Sequence, residues 1–249
     1  MTDVVRAALA PRGVLRVALN HANFLLVPAP ASEGRGVAAD LGRELGARLG
    51  VPVTFIGYAD AGKVADAARE EVWDVAFIGA DAARSDVVFS PPYIGIEATF
   101  LVRESSTAST PDEVDRPGIR IGVADRSAYH LALQRIIRQA TLVPADGLPA
   151  SAERFHHDGL EALAGLRPHL VDVVTRTPGG RVLDGAFLTV QQAIGIPRGR
   201  VAAAEWVAGF VREVLMDGTV AGLVARHGVR GVTVPPGGAV EGDVGAGGA

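Results

Sequence analysis

Apolar, β-rich segments that alternate with amphipathic helical segments constrain the fold of this chain most strongly. The first three such strands are "GVLRVALN" (13–20), "VPVTFIGY" (51–58) and "WDVAFIGA" (73–80). Between the first two, residues 36–50 carry an apolar stripe at helical spacing that Gly50 ends. Asp60 predicts the cap of a second helix that runs to about Glu70. The β-α-β-α-β order predicts a parallel sheet with right-handed crossovers.

A second alternating unit follows a polar, proline-rich segment at 103–118. Its predicted elements are strands at 119–123 and 141–144, helices at about 127–140 and 149–157, and an apolar segment at 160–166. Two long apolar runs flank this unit, "FSPPYIGIEATFLV" (89–102) and "FLTVQQAIGIP" (187–197). An amphipathic helix around 207–215 and a short one at about 218–227 complete the chain.

Two α/β units joined by two long strands predict a two-lobed molecule in which the chain crosses a hinge twice. Residues 1–102 and 187–235 are expected to form lobe one, and residues 103–186 lobe two. The glycine-rich tail at 236–249 is expected to be disordered. The fold class is therefore α/β, with a mixed sheet flanked by helices in each lobe.

Composition narrows the function classes. The 249 residues are 48% hydrophobic and 21% charged, which is typical of a soluble globular protein. A net charge of −4 disfavours nucleic acid as a partner, and the absence of cysteine excludes thiolate metal sites and thiol nucleophiles. No apolar run reaches the roughly 18 residues of a membrane span, and "MTDVVRAALAPRG" lacks the parts of a secretory signal. We therefore expect a cytoplasmic protein, or a periplasmic or extracellular one if a leader has been removed.

The segments "GVLRVALN", "GVAADLGRELGARLGV", "WDVAFIGADAARSDVVFSPPY", "VDRPGIRIGVADRSAY" and "MDGTVAGLVARHG" occur in this order over residues 12–230. In this order the chain resembles the family-3 solute-binding proteins of ABC transporters, with the periplasmic-binding-protein type II fold. The segments "NHAN", "GLEALAG" and "QQAIG" resemble more narrowly a signal-less subgroup of transporter substrate-binding domain proteins. The resemblance implies a ligand cleft between the lobes that closes about the hinge.

The resemblance assigns anion-binding roles to two residues. Arg84 stands at the position that binds a ligand carboxylate in the family, and a guanidinium fork suits that contact. Asp81 replaces the threonine that usually precedes this arginine, and would repel a carboxylate if it faced the cleft. Ser127 stands at a helix N-terminus, where amides favour an anion, although Arg126 replaces the usual glycine before it. The alternatives are a surface arginine and a simple N-cap serine.

Other predicted ligand-binding residues follow strand ends. Asn20, Asn23 and Phe24 come after the first strand, where parallel strands face the crevice; turn chemistry is the alternative for the asparagines. Ala80 after the third strand is a further candidate, and Tyr129 in the helix that Ser127 begins either lines the cleft or fills core or surface.

The residue that pairs with a ligand ammonium in the family is missing. Leu166 stands where an aspartate is usual, with Arg167 beside it. Glu161, upstream, is either a replacement or a structural acid at the start of the strand. An arginine near the cleft would favour a dicarboxylate or another anion.

Glu97 interrupts the first long apolar run, and Gln191 and Gln192 interrupt the second. We expect Glu97 to lie on the cleft floor opposite the two glutamines, either contacting ligand or fixing the hinge, and we expect Gln191 to contact ligand. Related folds include cyclohexadienyl dehydratases, so an alternative function is a lyase in which Glu97, or less readily His21, protonates a leaving group.

The primary expectation is a binder of a small carboxylate-bearing molecule, amino-acid-like or a dicarboxylate, acting as a receptor, sensor or carrier. No cofactor and no metal are expected; the adjacent His156, His157 and Asp158 lack ligand spacing. An ABC permease is expected as a partner only if the protein is exported, and the sequence leaves the oligomeric state open.

Overall fold

The computed structural model describes residues 2–28 and 34–236. The described part contains eight α-helices: α1 Thr2–Leu9, α2 Val37–Leu49, α3 Ala61–Asp66, α4 Ala128–Ile136, α5 Gly147–His157, α6 Arg167–Arg176, α7 Val201–Met216 and α8 Thr219–Arg226. It contains ten strands: β1 Leu15–Asn20, β2 Val53–Tyr58, β3 Val75–Gly79, β4 Val87–Phe89, β5 Ile94–Arg103, β6 Arg120–Ala124, β7 Thr141–Ala145, β8 Ala162–Leu166, β9 Gly180–Val182 and β10 Leu188–Pro197. Two 3-10 turns, Ala67–Glu70 and Pro111–Val114, complete the elements.

The strands form one mixed sheet in the order β2-β1-β3-β10-β5-β8-β6-β7, with β4 beside β10 and β9 beside β5. Strand β1 is parallel to β2 and β3, and β6 is parallel to β7 and β8. Two parallel groups, which we call the first and second halves, are thus joined by the antiparallel strands β5 and β10. The predicted α/β class and mixed sheets are confirmed.

Strand β5 carries the chain from one half to the other. Residues 94–98 pair with β10 and residues 98–102 pair with β8. Strand β10 returns the chain by pairing with both β5 and β3. The predicted lobe boundaries at 102/103 and 186/187 fall next to these two crossings and stay predictions.

Local signals positioned several elements correctly. Gly50 ends α2 in the left-handed conformation, and the Asp60 carboxylate accepts a hydrogen bond from the Lys63 amide at the start of α3. Glycines spaced by four residues let α2 pack closely on β2, since a Cβ on Gly46 would lie 2.2 Å from a Val53 methyl. Burial of every residue of β1 agrees with a strand covered on both faces.

Other elements differ from the sequence expectation. The predicted run 89–102 is broken into β4 and β5, with Pro91 and Pro92 between them. Helices α1 and α6 and strand β9 were not predicted. The predicted tail lies outside the described residues except for Pro236. No helix in the described ranges is long and apolar enough to cross a membrane.

Candidate functional site

A small cavity of about 60 Å³ lies between the two halves, and we call it the inner cavity. Its walls come from segments that follow β1, β2 and β6, from the N-terminus of α4, and from β3, β8 and β10. Polar and charged residues among those that line it are Asn20, Asn23, Asp60, Asp125, Ser127, Tyr129 and Gln192, and Leu166 lies beside them. This is the crevice at the carboxyl ends of parallel strands where ligands bind in open α/β sheets.

The N-terminus of α4 points backbone amides at the inner cavity. Ser127 caps the helix, its hydroxyl oxygen accepting a hydrogen bond of 3.1 Å from the His130 amide. Arg126 adopts a left-handed φ of 54°, so it keeps the backbone path that a glycine would take. Its own N–H donates to Nδ1 of His130 at 3.0 Å. First-turn amides have no partner within a helix and favour an anion, so the cavity can accept a carboxylate here.

Two residues of the cavity wall each carry a buried polar atom that lacks a partner. The phenol oxygen of Tyr129, a residue 3% exposed, makes no hydrogen bond of ordinary geometry, although the Ser127 side chain lies near it, and Oδ1 of Asn23 has no partner either. Burial raises the pKa of the Tyr129 phenol, which therefore stays a hydrogen-bond donor at neutral pH. The amide nitrogen of Asn23 donates to Oε1 of Gln192 at 3.2 Å, which holds the Asn23 side chain in place. An unpaired buried polar group costs about 1–3 kcal/mol, and a bound polar ligand would recover that cost.

The charge of the inner cavity is negative. Asp60 and Asp125 are the charged residues among those that line it, and no lysine, arginine or histidine of the described chain does so. The Asp125 carboxylate, half-exposed, lies 3.2 Å from Nδ1 of His130. Leu166 lines the cavity at the position where the family carries an acid, and Asp60 is already 3.1 Å from the Lys63 ammonium, so Asp125 is the carboxylate most available to a ligand ammonium.

Arg84 is buried but does not line the inner cavity. Its guanidinium donates to three backbone carbonyls: Gly79 at 3.3 Å, Ala61 at 2.9 Å and Arg126 at 3.0 Å. The first two belong to the first half and the third to the second half. Burial lowers the pKa of Arg84 to about 10, which leaves it charged at neutral pH. In this conformation Arg84 ties the two halves together, and its side chain does not line the inner cavity.

The predicted position of Glu97 on the cleft floor is wrong. Successive residues of a strand point to opposite faces, and Val190 and Gln192 of β10 line the inner cavity. Glu97 pairs with Thr189, two residues away from the expected glutamines. Its carboxylate is exposed and accepts a hydrogen bond of 2.6 Å from Nε of Arg167. Gln191 pairs with Gly95 and is exposed on the same face as Glu97, so Gln192 is the glutamine that faces the cavity.

Three more residues lie away from the cavity. Glu161, next to the start of β8, accepts hydrogen bonds from the side chain and amide of Arg120. This contact agrees with the alternative that Glu161 is a structural acid at the start of the strand. Asp81 forms an ion pair with Arg135 instead of facing the cleft. Ala80 donates its amide to the Gln191 carbonyl at 2.8 Å, and its neighbour Gly79 takes the place in the wall.

Residues after β1 divide between two spaces. Asn20 lines the inner cavity, and its Oδ1 also accepts from the Ala22 amide at 3.1 Å, which is the turn chemistry weighed from the sequence. Phe24 instead lines a wider space of about 840 Å³ at the mouth of the crevice, which we call the outer chamber. The sequence expectation thus names four residues of the inner cavity: Asn20, Asn23, Ser127 and Tyr129.

Sequence reasoning missed Asp60, Asp125 and Gln192. Asp60 was identified as a helix cap, which it is, but its position after β2 also brings it to the cavity. Asp125 directly follows β6, so the rule that strand ends face the crevice was a signal for it. The alternation of β10 determines which glutamine faces the cavity, and that needs the orientation of the strand.

Comparison with known proteins agrees with this architecture. The profile of the bacterial extracellular solute-binding proteins, family 3, matches residues 16–229. The fold and the crevice define a two-lobed binding protein of the type II class. The chain belongs to the family-3 bacterial extracellular solute-binding proteins. No curated protein matches the chain.

Solved structures with the same fold cover most of the chain. A mutant of ArgBP from T. maritima has a TM-score of 0.70 at 19% identity, covering 90% of this chain and 98% of the other. A binding component of an ABC transporter from Wolinella succinogenes, complexed with lysine, has a TM-score of 0.70 at 19% identity, covering 86% and 95%. The ancestral amino acid-binding protein AncCDT-1, a precursor of cyclohexadienyl dehydratase, has a TM-score of 0.69 at 19% identity, covering 88% and 96%.

Proposed function

We propose that the chain binds one small amino-acid-like molecule whose carboxylate and ammonium groups lie in the inner cavity. The observation that carries the proposal is the pair of unpartnered atoms, Asn23 Oδ1 and Tyr129 Oη. They belong to segments of different halves, so a single ligand that pairs with both would favour closure. The similar binding component described as complexed with lysine supports this ligand class.

The two ends of such a ligand have different partners. Its carboxylate would accept from the first-turn amides of α4 beside Ser127, where the helix dipole favours negative charge. Its ammonium would lie against Asp125, beside Asp60 and the Lys63 ammonium that pairs with Asp60. In this arrangement the first-turn amides of α4 take the role of the family's arginine. The aspartates of the cavity wall take the role of the acid at the end of the strand.

The dicarboxylate alternative has less support. A second carboxylate would enter a cavity lined by two aspartates, where like charges repel. Arg167, the arginine expected to favour a dicarboxylate, instead pairs with the Glu97 carboxylate and donates to the Leu183 carbonyl. Among carboxylate-bearing molecules, the geometry therefore favours one that also carries an amine.

The lyase alternative loses its named acid. Glu97 lies on the opposite face of the β5–β10 ribbon from the inner cavity and is paired with Arg167. The likeness to a dehydratase precursor concerns the fold, because it stands at 19% identity. A binding role is therefore the one we propose.

Partner and location follow from the proposed role. Members of the family work with ABC transporters and are described as extracellular, so an ABC permease is the partner we propose if the protein is exported. The predicted cytoplasmic location stays a prediction. Immunoblotting of cytoplasmic and extracytoplasmic fractions from cells that express the native gene would decide between a cytoplasmic and an exported protein.

Isothermal titration calorimetry tests the proposed ligand class. The full chain is titrated with the standard L-amino acids and with succinate and glutarate. We expect one-to-one binding of at least one amino acid and none of the dicarboxylates, with affinity lowered in Asp125→Asn. Tighter binding of a dicarboxylate, or no binding of any amino acid, would contradict the proposal.

A further inference from the structure

We propose that the charge of His130 controls binding in the inner cavity, so that an amino acid binds while the imidazole is neutral and is released when acid protonates it. This inference rests on the proposed function, because Asp125, the carboxylate that receives the ligand ammonium, is the group that a charged His130 would take. His130 itself does not line the inner cavity, so it is a positioning residue that acts through its neighbours.

One atom of His130 lies between a donor and an acceptor. Its Nδ1 accepts a hydrogen bond of 3.0 Å from the Arg126 amide and lies 3.2 Å from Oδ1 of Asp125. Nδ1 needs its lone pair to accept from the amide, and it needs a proton to donate to the carboxylate. It can therefore satisfy one of these neighbours at a time, and the protonation of the ring decides which one.

The neutral ring leaves the site ready for a ligand. With its proton on Nε2, His130 accepts from the Arg126 amide and donates nothing to the half-exposed Asp125 carboxylate. The His130 amide meanwhile donates to the Ser127 hydroxyl at 3.1 Å, which holds the first turn of α4 in place. The charge of Asp125 then remains available to a ligand ammonium.

The charged ring competes with the ligand. Both nitrogens of a protonated imidazole are donors, so Nδ1–H would donate to Asp125 in a charge-assisted hydrogen bond. A ligand ammonium would then meet a carboxylate that is already paired, and a second positive charge beside it. The proton that His130 takes up from water must therefore return to water before the ligand binds at full affinity.

Protonation also removes the partner of the Arg126 amide. Arg126 holds a left-handed φ of 54°, which is uncommon for a residue other than glycine, and the bond to His130 supports it. The same residue contacts the first half twice, since its guanidinium pairs with Asp66 and its carbonyl accepts from Arg84. Loss of the amide bond therefore loosens a residue that connects the halves, which acts against closure around a ligand.

The surroundings of His130 leave Asp125 as its charged partner. Strands β8 and β10, which pack against α4, carry no titratable side chain. Tyr129 stays neutral because burial raises the pKa of its phenol, and Arg135 at the end of α4 pairs with Asp81. Burial lowers the pKa of His130 and the Asp125 carboxylate partly offsets this, so the ring is neutral at pH 7 and becomes charged in acid.

Calorimetric titration of the full chain at about pH 7.5 and about pH 5 tests the inference. The probes are the standard L-amino acids other than L-histidine, because its own imidazole titrates in this range. We expect the parent to bind about three- to tenfold more weakly at the lower pH, since uptake of one proton lowers affinity by at most about tenfold per pH unit. Affinity is full above about pH 6.5 and is lost as the pH falls through the lowered pKa of His130. Circular dichroism checks that the protein is folded at both values.

Two variants and one spectrum separate His130 from the other histidines. His130→Gln should bind equally, within about twofold, at the two pH values, because glutamine keeps an acceptor for the Arg126 amide without titrating. His156→Gln is the matched control and should keep the pH dependence of the parent, since burial also lowers the pKa of His156 but its ring lines neither the inner cavity nor the outer chamber. Nitrogen NMR of the imidazole rings needs no variant: adding the amino acid should move the titration of one histidine of the parent to lower pH.

The outcomes separate the inference from the proposed function. Equal affinity of the parent at both pH values, a pH dependence that His130→Gln keeps, or histidine titrations that the amino acid leaves unchanged would each overturn the inference while the proposed function stands. Binding of no standard L-amino acid would overturn both.

Discussion

Arg135 and Asp81 form a two-pronged ion pair across the crevice, with Nη1–Oδ1 and Nη2–Oδ2 distances of 3.0 and 2.7 Å. Arg135 belongs to α4 of the second half, and Asp81 follows β3 of the first. Arg126 and Asp66 form a second such pair across the halves, with both distances 2.6 Å. These pairs, together with the bond from Arg84 to the Arg126 carbonyl, hold the halves in a closed arrangement.

We expect Asp81→Asn and Asp66→Asn to open the ligand-free protein. The exposed Arg126–Asp66 pair contributes about 0.2–1 kcal/mol, so its loss shifts the closing equilibrium by a few-fold at most, whereas the Asp81 carboxylate is 5% exposed and loss of its pair shifts the equilibrium further. The asparagine at 81 keeps the oxygen that accepts from the Ala83 amide at 2.8 Å, so the local turn is retained. Small-angle X-ray scattering would report the change as a larger radius of gyration.

Salt provides an independent check of the same pairs. Raising the salt concentration from about 0.01 M to about 1 M shortens the screening length from roughly 30 Å to 3 Å and should also expand the parent protein. Asp86→Asn is the matched control, because Asp86 pairs with Arg69 within the first half. A radius that responds to neither variant nor salt would contradict the closing role of these pairs.

Arg84→Lys should lower the free energy of unfolding by about 1–3 kcal/mol, because a lysine ammonium cannot reach three diverging carbonyls at once. The side chain is 6% exposed, so the carbonyls it leaves gain little water in exchange. Chemical denaturation measures the change, with exposed Arg69→Lys as the control. Unchanged stability together with lost amino-acid binding would instead indicate direct contact between Arg84 and the ligand.

The stability of the protein should fall as the pH drops below about 6.5, the ordinary pKa of histidine. Burial lowers the pKa of His130 in the folded state, an effect that nearby Asp125 partly offsets. The unfolded chain therefore takes up the proton first, and the stability that is fully present above pH 6.5 is lost as pH falls through the lowered folded pKa.

His130→Gln should reduce that loss between about pH 7 and pH 5, since glutamine keeps an acceptor for the Arg126 amide without titrating. Part of the loss of stability at low pH should persist in this variant, because burial also lowers the pKa of His21, His156 and His169. His157→Gln, at a side chain 92% exposed, is the control. Thermal unfolding across this pH range would test it, and identical pH profiles of parent and His130→Gln would count against it.

Glu97→Gln should change neither amino-acid affinity nor stability by more than about 0.5 kcal/mol, because its pair with Arg167 is exposed. Calorimetry and denaturation check both quantities. Assay of prephenate and arogenate for dehydration by the parent and variant addresses the enzyme alternative. Turnover by the parent that disappears in Glu97→Gln at intact affinity would restore Glu97 as an acid.

The sequence predicted the layered architecture because its signals are local. Apolar β-rich runs, the Gly50 stop and the Asp60 cap each act within one element, and the alternating order implies parallel pairing. Helix α6 was missed although Pro168 at its first turn is a start signal.

Side-chain direction was harder to predict than element position. Ile96 and Ala98 flank Glu97 and are buried, so strand alternation already placed Glu97 on the other face. Which face meets the cavity depends on the register of β5 against β10, a contact far apart in sequence. The carbonyls that engage Arg84 come from three separate segments, and no local pattern reports such a meeting.

The most direct test of the central claim compares two tyrosines. Tyr129 and Tyr93 each bury a hydroxyl without a partner, but Tyr129 lines the inner cavity and Tyr93 does not. Removing an unpaired hydroxyl relieves a cost of about 1–3 kcal/mol, so both Tyr→Phe variants should be at least as stable as the parent.

Calorimetric titration with the standard L-amino acids should then separate the two variants. We predict that Tyr129→Phe weakens binding by about 0.5–1.5 kcal/mol, roughly two- to tenfold, through loss of one ligand hydrogen bond, while Tyr93→Phe binds like the parent. Equal affinities in parent, Tyr129→Phe and Tyr93→Phe would contradict recognition of the ligand in the inner cavity.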